Sequence, residues 1–204
     1  MKRINLTLPS MRFVVFYVLT TTMLPSVGRA QEAPVFAISR ADSSIVFAVK
    51  ASMAIQGSFD KWDATLTFKS PDVTTGILDV KIQAASVDTG SSLKDTKLKS
   101  DDFFDVNHNP LIRFKSTKII QSGPNTFEVD GDFTIRGVTK PEKLTLVVSG
   151  KGTGAGEING TMAFDRKNYG MNSGIPFIRI ADRVEVTVAL KGKRLSGPPL
   201  VFQQ

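Results

Sequence analysis

A chain of 204 residues, 41% hydrophobic and 22% charged, can bury one substantial core; with 0 Cys it does so without disulfides or thiolate metal sites. One His, His108, leaves a nucleophile–imidazole arrangement no second imidazole to draw on. The formal charge of +7 is concentrated at the start, where Lys2, Arg3, Arg12 and Arg29 precede Ala30 with no acid among them, so the remainder carries +3, a solubilising charge and not a nucleic-acid footprint.

Residues 1–30 read as a secretory signal. Two basic residues open it, an apolar run from Phe13 to Leu19 comes next, Pro25 breaks it, and the small residues Gly28 and Ala30 stand at signal-peptidase spacing. The apolar run is too short to span a bilayer, which takes about 20 residues. The expected product is therefore one domain, residues 31–204, released to the periplasm or secreted.

Period-two alternation dominates residues 31–204, the mark of half-buried strands. Short candidates fall at 44–49, 57–62 and 65–68. In 77–83, Leu78, Val80 and Ile82 share one face, with Asp79, Lys81 and Gln83 on the other. Residues 91–100 give one helical stretch, with Leu93 and Leu98 as its apolar residues. A further strand is predicted at 111–115. Phe127, Val129, Gly131, Phe133 and Ile135 then alternate with Glu128, Asp130, Asp132, Thr134 and Arg136. Leu144, Leu146 and Val148 continue the pattern, as do 161–164 and the set Val184, Val186, Val188 and Leu190. Asn159-Gly160 is a strong hairpin signal by itself, yet 157–165 also reads as one strand. The proline-rich tail 196–200 is not expected to continue a sheet.

One-sided strands belong to antiparallel sheets. About eight of them in a meander close into a barrel or split into a sandwich, and closure removes unpaired edges. The expected fold is all-β: an antiparallel, lipocalin-like barrel with one short helical segment. Such an interior is either just filled by side chains or left open for one ligand, and composition does not decide which.

The inventory of reactive groups argues against an enzyme. His108, between Asn107 and Asn109-Pro110, reads as a solvated turn residue. Asp101, Asp102 and Asp105 are candidate acids, bases or calcium ligands, but capping and solvating the helix end is the commoner use of such a cluster. No phosphate-binding glycine loop is present. No catalytic or metal residue is assigned. The apolar bulk is more telling, with 14 Phe in the chain. The adjacent pair Phe103-Phe104 cannot both point inward on a strand, and beside the helix it is placed to cap an open barrel end.

Three blocks of residues resemble the YceI-like family of polyisoprenoid-binding, lipocalin-like proteins. The densest is Ala84-Ala85-Ser86-Val87-Asp88-Thr89-Gly90 with Leu98-Lys99-Ser100-Asp101-Asp102-Phe103-Phe104-Asp105-Val106, running on through Pro110–Thr117 (110–117). The second is 131–141, Gly131-Asp132-Phe133-Thr134-Ile135-Arg136-Gly137-Val138-Thr139-Lys140-Pro141. The third, looser block is Phe164-Asp165-Arg166-Lys167-Asn168-Tyr169-Gly170-Met171-Asn172. The resemblance covers nearly all of 36–191. It implies an extended barrel, partly closed by the helix region, that holds a long isoprenoid chain or isoprenoid quinone in an apolar channel, and it implies an exported protein. It also favours one strand over 157–165, with Gly160 as a bulge. Ala51 stands where the family usually has His, Asn168 replaces the usual acid, and the 150–156 connection is short. These departures bear on the ligand mouth more than on the fold.

On this reading the apolar lining is Phe47, Val49, Phe68, Leu78, Val80, Ile82, Phe114, Phe127, Val129, Phe133 and Phe164. Met53, Leu98, Phe103, Phe104, Tyr169 and Met171 are assigned to the mouth, and Arg166 and Asn172 to the head group. The expected partner is an isoprenoid-type lipid, a prenyl quinone or polyprenyl phosphate, with transient membrane contact for loading, self-association into a homodimer, no nucleic acid and no required cofactor. Another amphiphile, such as a fatty acid or fatty amide, and a filled barrel serving as an envelope interaction protein are the competing readings.

Overall fold

The alternating segments become strands in a computed structural model that describes residues 32–52, 55–174 and 179–203. The proposed signal peptide and Met53 lie outside the described residues. In chain order the elements are β1 (Val35–Ala51), β2 (Ile55–Phe59), β3 (Trp62–Thr67), β4 (Ile77–Gln83), β5 (Val87–Asp88), α1 (Ser92–Lys99), β6 (Leu111–Gln121), β7 (Thr126–Ile135), β8 (Val138–Ser149), β9 (Ala155–Asp165) and β10 (Ile180–Ser196).

Every ladder between these strands is antiparallel. The ring runs β10-β9-β8-β7-β6-β4-β3-β1 and closes where β10 returns to β1; β2 and β5 extend the wall beyond the end of β1. The eight-stranded barrel expected from the alternation is therefore present, with two short additional strands. Inward positions are buried as the period-two pattern requires: Phe127, Val129, Gly131, Phe133 and Ile135 on β7, and Leu78, Val80 and Ile82 on β4. Each such large apolar side chain contributes about 1.5–3 kcal/mol relative to exposure.

Several boundaries differ from the alternation, each for a local reason. Strand β1 is much longer than 44–49, because a bulge hides its first half. Ser39 pairs Lys191 and Ser44 pairs Ala189, so four residues loop out between them against one on β10. The loop closes on itself: Ser39 Oγ donates to Asp42 at 2.7 Å, and Ser43 Oγ accepts from the Lys191 N–H at 2.9 Å. The segment 57–62 is not one strand, since a bend at Asp60-Lys61 separates β2 from β3. The predicted 111–115 strand runs to Gln121 past a register shift at Ser116–Lys118 (116–118), and Ser116 Oγ accepts the Leu78 N–H at 2.9 Å, extending the β4–β6 contact beyond its ladder.

Residues 155–165 form the single strand β9, so Asn159-Gly160 is not a turn. Gly160 is not a bulge either, because its register with β10 and β8 is unbroken. A Cβ there would meet Leu146 Cδ2 at 2.8 Å; the glycine makes room for a neighbouring strand's side chain. The true two-residue hairpin is Arg136-Gly137, with φ of 53° and 73° between the paired Ile135 and Val138. The tail does not add a strand, but it is not free: Val201 forms an isolated parallel bridge with Asp72. In α1, Leu98 is buried while Leu93 is 81% exposed, so the helix seals the barrel with one apolar residue, not two.

One seam is weakly joined. β1 and β3 share a single ladder pair, Val35↔Thr67, and at the far end β1 pairs β2 instead. Beside the Val35↔Thr67 pair, the Phe36 ring of β1 meets the ring of Phe68, just past the end of β3, at 5.7 Å.

Candidate functional site

Among the described residues, the inward side chains leave two apolar cavities, one toward each end of the barrel. The first, of about 120 Å³, is lined by Phe36, Ile38, Leu66, Phe68, Val73, Ile119, Phe127, Leu146, Val148 and Ile158, with the 149–156 turn region, Gly192, Arg194 and the tail residues Pro199, Leu200 and Phe202 around its mouth. The second, of about 80 Å³, lies at the α1 end, within Ile45, Phe47, Val49, Ile55, Phe59, Ile82, Ile112, Phe133, Ile135, Phe164, Ile180, Val184 and Val186. Lys94, Leu98, Phe103, Phe104, Arg166 and Met171 complete its wall.

A packed waist separates them. Along β6, Ile112 faces the second cavity and Ile119 the first, with Phe114 and Ser116 buried between. Along β7, Phe127 and Phe133 face opposite cavities with Val129 and Gly131 between them. Leu78, Val80, Leu144, Met162, Val188 and Leu190 are likewise buried and line neither space. The Phe114 ring lies across Gly131, where a Cβ would stand 2.5 Å from its Cζ. Phe47 does the same over its cross-strand partner Gly57.

The expected lining therefore divides. Phe68 and Phe127 belong to the first cavity; Phe47, Val49, Ile82, Leu98, Phe103, Phe104, Phe133, Phe164, Met171 and Arg166 belong to the second. Leu78, Val80, Phe114 and Val129 form the waist. Tyr169 is fully buried behind Phe133 and Phe164, with ring centroids 5.5 and 5.3 Å away, and lines neither cavity. Burial and a hydrogen bond to Glu142 at 2.7 Å push its phenol pKa well up, so it is a structural donor. Asn172 is exposed and lines neither cavity.

Phe103 and Phe104 are both buried, which the loop after α1 permits and a strand does not. Phe104 meets Phe47 and Phe59 at 6.4 and 6.0 Å. Arg136, at the β7–β8 turn, ties this loop down by donating to the Asp101 carbonyl at 2.6 Å and to the Gly170 carbonyl. The position of Arg136 in a conspicuous motif was visible in sequence, but its partners, distant along the chain, were not.

Arg166 is 7% exposed and mostly committed. It donates to the carbonyls of Ala181 at 3.2 Å, Ser173 at 2.9 Å and Met171, and to Asp182 at 3.1 Å. Lys167, then Arg166, hold the Asp182 carboxyl below its usual range. The guanidinium thus clamps the loop 171–173 to β10 and keeps little donor capacity for a ligand.

The carboxylate cluster serves the same end of the barrel. Asp102 pairs with Lys97 and accepts from Ser173 Oγ at 2.6 Å; both contacts hold its pKa down. Asp105, at φ 50°, accepts from Asn109 Nδ2 at 3.0 Å and pairs His108 Nδ1 at 2.8 Å. His108 is 81% exposed in its side chain, a solvated turn residue as expected. Among the described residues no group of three or more His, Asp or Glu is arranged to hold a metal ion.

What sequence reasoning missed is the first cavity. Phe36 and Ile38 alternate plainly, but the bulge at 40–43 breaks the pattern that would have joined them to Ile45. Leu200 and Phe202 sit in a tail whose prolines argue against a sheet, and nothing local says that it folds back.

The family model for a YceI-like domain matches residues 36–192. A UPF0312 protein of Pseudomonas savastanoi is 31% identical over 134 residues, covering 63% of this chain and 69% of that one. Among solved structures, BcnA of Burkholderia cenocepacia superposes with a TM-score of 0.69 at 23% identity, over 76% of this chain and 99% of that one. A polyisoprenoid binding domain from Saccharophagus degradans, implicated in plant cell wall breakdown, gives 0.61 at 12% identity, over 79% and 99%. At these identities the structural likenesses speak to the fold.

Proposed function

Since the chain belongs to the YceI-like family, we propose that it is an exported carrier or reservoir that shelters the tail of a long-chain isoprenoid lipid, a prenyl quinone or polyprenyl phosphate, inside its barrel. The observation that carries this reading is the pair of apolar cavities at the two ends of one closed β-barrel, walled almost wholly by aliphatic and aromatic side chains. The polyisoprenoid-binding character of the Saccharophagus degradans neighbour supports it.

The physical drive is simple. Each CH₂ moved out of water is worth about 0.8 kcal/mol; this drive has no direction of its own, so the path of the tail is set by the shape of the channel and its orientation by a few polar groups. At about 120 and 80 Å³, both cavities are smaller than the ~150 Å³ that takes a benzene-sized molecule. A chain of several isoprene units therefore requires the waist to part, with Phe114 swinging off Gly131 so that the two spaces become one. Binding is coupled to rotamer changes in the waist, and the ordering of a flexible tail offsets part of the gain. On this reading the protein is no enzyme: its carboxylates and its one His hold loops. Lipid is taken up and delivered by transient membrane contact in the periplasm or outside the cell.

The test is native mass spectrometry of the detergent-free protein, before and after incubation with a prenyl quinone and a prenyl phosphate. A bound mass matching a prenyl lipid is the expected result. A spectrum that stays empty after both additions refutes the reading in favour of a filled barrel. Stronger retention of fatty acids than of prenyl lipids would reassign the tail class.

A further inference from the structure

The two cavities differ in what surrounds their mouths. Among the described residues, the only charged side chains lining the first cavity are Lys151 and Arg194; no carboxylate lines it. Neither cation has a carboxylate partner among the ion pairs of the described residues. Instead they rest on neutral groups. Lys151 donates to the Pro124 carbonyl and stands 4.7 Å over the Phe202 ring, while Arg194 donates to the Gly197 carbonyl at 3.3 Å. The second cavity is also lined by two cations, but Arg166 is already bound to Asp182 and three carbonyls, which leaves Lys94 as its one lining cation without an ion pair among the described residues, against two at the first.

The cover over the first mouth is also lightly fastened. From Gly197, where φ is 79°, the tail folds back as a strap that places Leu200 and Phe202 against the cavity. Two backbone bonds hold it to the 71–73 segment: Val201 N–H to the Pro71 carbonyl at 2.8 Å, and Val73 N–H to the Val201 carbonyl at 3.2 Å. Gln121 adds two more by accepting from the Gln203 N–H at 2.7 Å and donating to the Gln203 carbonyl at 2.8 Å. Phe202 covers apolar space and, at the same time, occupies Lys151. An arriving anion would replace the Pro124 carbonyl and the Phe202 ring at Lys151, and the Gly197 carbonyl at Arg194, without displacing any carboxylate, so no salt bridge is lost.

We propose that the first cavity is the head-group end of the lipid site: a single-chain lipid with an anionic terminus binds with its charge between Lys151 and Arg194 and its tail toward the waist, beneath a C-terminal strap that lifts to admit it. This rests on the lipid-binding reading and adds to it a polarity, a head-group charge and a portal.

The test uses three probes on the full chain after lipid extraction: farnesyl phosphate, farnesol and inorganic phosphate. Rim cations of this kind predict that farnesyl phosphate binds about tenfold tighter than farnesol, with the ratio falling as salt rises. K151Q/R194Q is expected to bring the ratio to about one, and K151R/R194K to preserve it. Equal binding of the two prenyl probes by the natural chain overturns the head-group assignment while lipid binding stands. Binding of neither refutes the lipid reading itself. Inorganic phosphate binding as tightly as farnesyl phosphate would make this a free-anion site and overturn the proposal, as would a preference that survives K151Q/R194Q. For the strap, D72C/V201C joins a bridged pair in a chain with 0 Cys. The oxidised form is expected to lose exchange of farnesyl phosphate, and reduction to restore it; unchanged exchange in the oxidised form overturns the portal.

Discussion

Replacing Phe114 by Ala separates the waist's two roles, as part of the core and as the wall between the cavities. The ring is 6% exposed, lies across Gly131 and touches neither cavity. Its loss removes a buried aromatic with little backbone freedom to collapse into the space, so unfolding free energy is expected to fall by about 3–5 kcal/mol. For a domain of this size that lowers the thermal midpoint by roughly 6–20 °C. The same change opens a passage between spaces of about 120 and 80 Å³. A prenyl chain then no longer has to displace the ring, so Phe114→Ala is expected to bind a long prenyl lipid more tightly than the natural chain and to regain about 2.7 kcal/mol at a hundredfold excess over Kd. Denaturant melts of both proteins, with and without lipid, read both effects. Should the variant lose less than about 1 kcal/mol, or should lipid stabilise it no more than it stabilises the natural chain, Phe114 is not the partition between the two cavities.

Further outcomes can be checked alongside. Ser116→Ala leaves the Leu78 N–H without its acceptor at the end of the β4–β6 ladder, and a loss of about 1–3 kcal/mol is expected in chemical denaturation, whereas an isolated exposed serine would cost almost nothing. Arg166→Met strips four acceptors of their donor, and rapid hydrogen exchange confined at first to 171–173 and the start of β10 is the expected signature. The chain's one imidazole gives one NMR titration. His108, raised by hydrogen bonding to Asp105, is expected to titrate above 6.5, and Asp105→Asn to bring it back toward that value. The raised His108 stabilises the fold below 6.5 and loses that contribution as pH climbs through its folded value. The depressed Asp105 stabilises above 3.8 and loses it as pH drops through its own, so the pair contributes most between the two.

The barrel was legible because its strands alternate over long stretches with polar residues outward, as in β4, β7 and β10. The family was legible through the motif around Phe103-Phe104 and the one around Arg136-Gly137. What sequence could not disclose depends on which residues meet across the lumen. Leu78, Val80, Phe114 and Val129 alternate just as Ile82 and Phe133 do, yet the first four fill the waist and the last two face a cavity. Periodicity assigns a face; it says nothing of the side chain opposite. Tyr169 was misplaced for a related reason, since its buried hydroxyl finds Glu142 across 27 positions of chain. The strap over the first cavity is held by one parallel bridge and by Gln121, both distant in sequence from a proline-rich tail for which no local pattern exists.

The pairing of the first strand with the last has a kinetic side. Val35 lies opposite Ser196, and β1 and β10 zip together along most of their length. That closing contact spans almost all of the described residues, so it carries the largest loop-closure entropy of any strand pairing among them and is expected to wait until everything between has been made. Until then β1 and β10 are open edges with apolar inner faces exposed, ready to join another chain in the same state. A truncation before Ile180 would leave the molecule permanently in that condition. The last strand is thus the stave that turns a sheet into a vessel, and the one whose late arrival sets how long the nascent sheet must be kept from its neighbours.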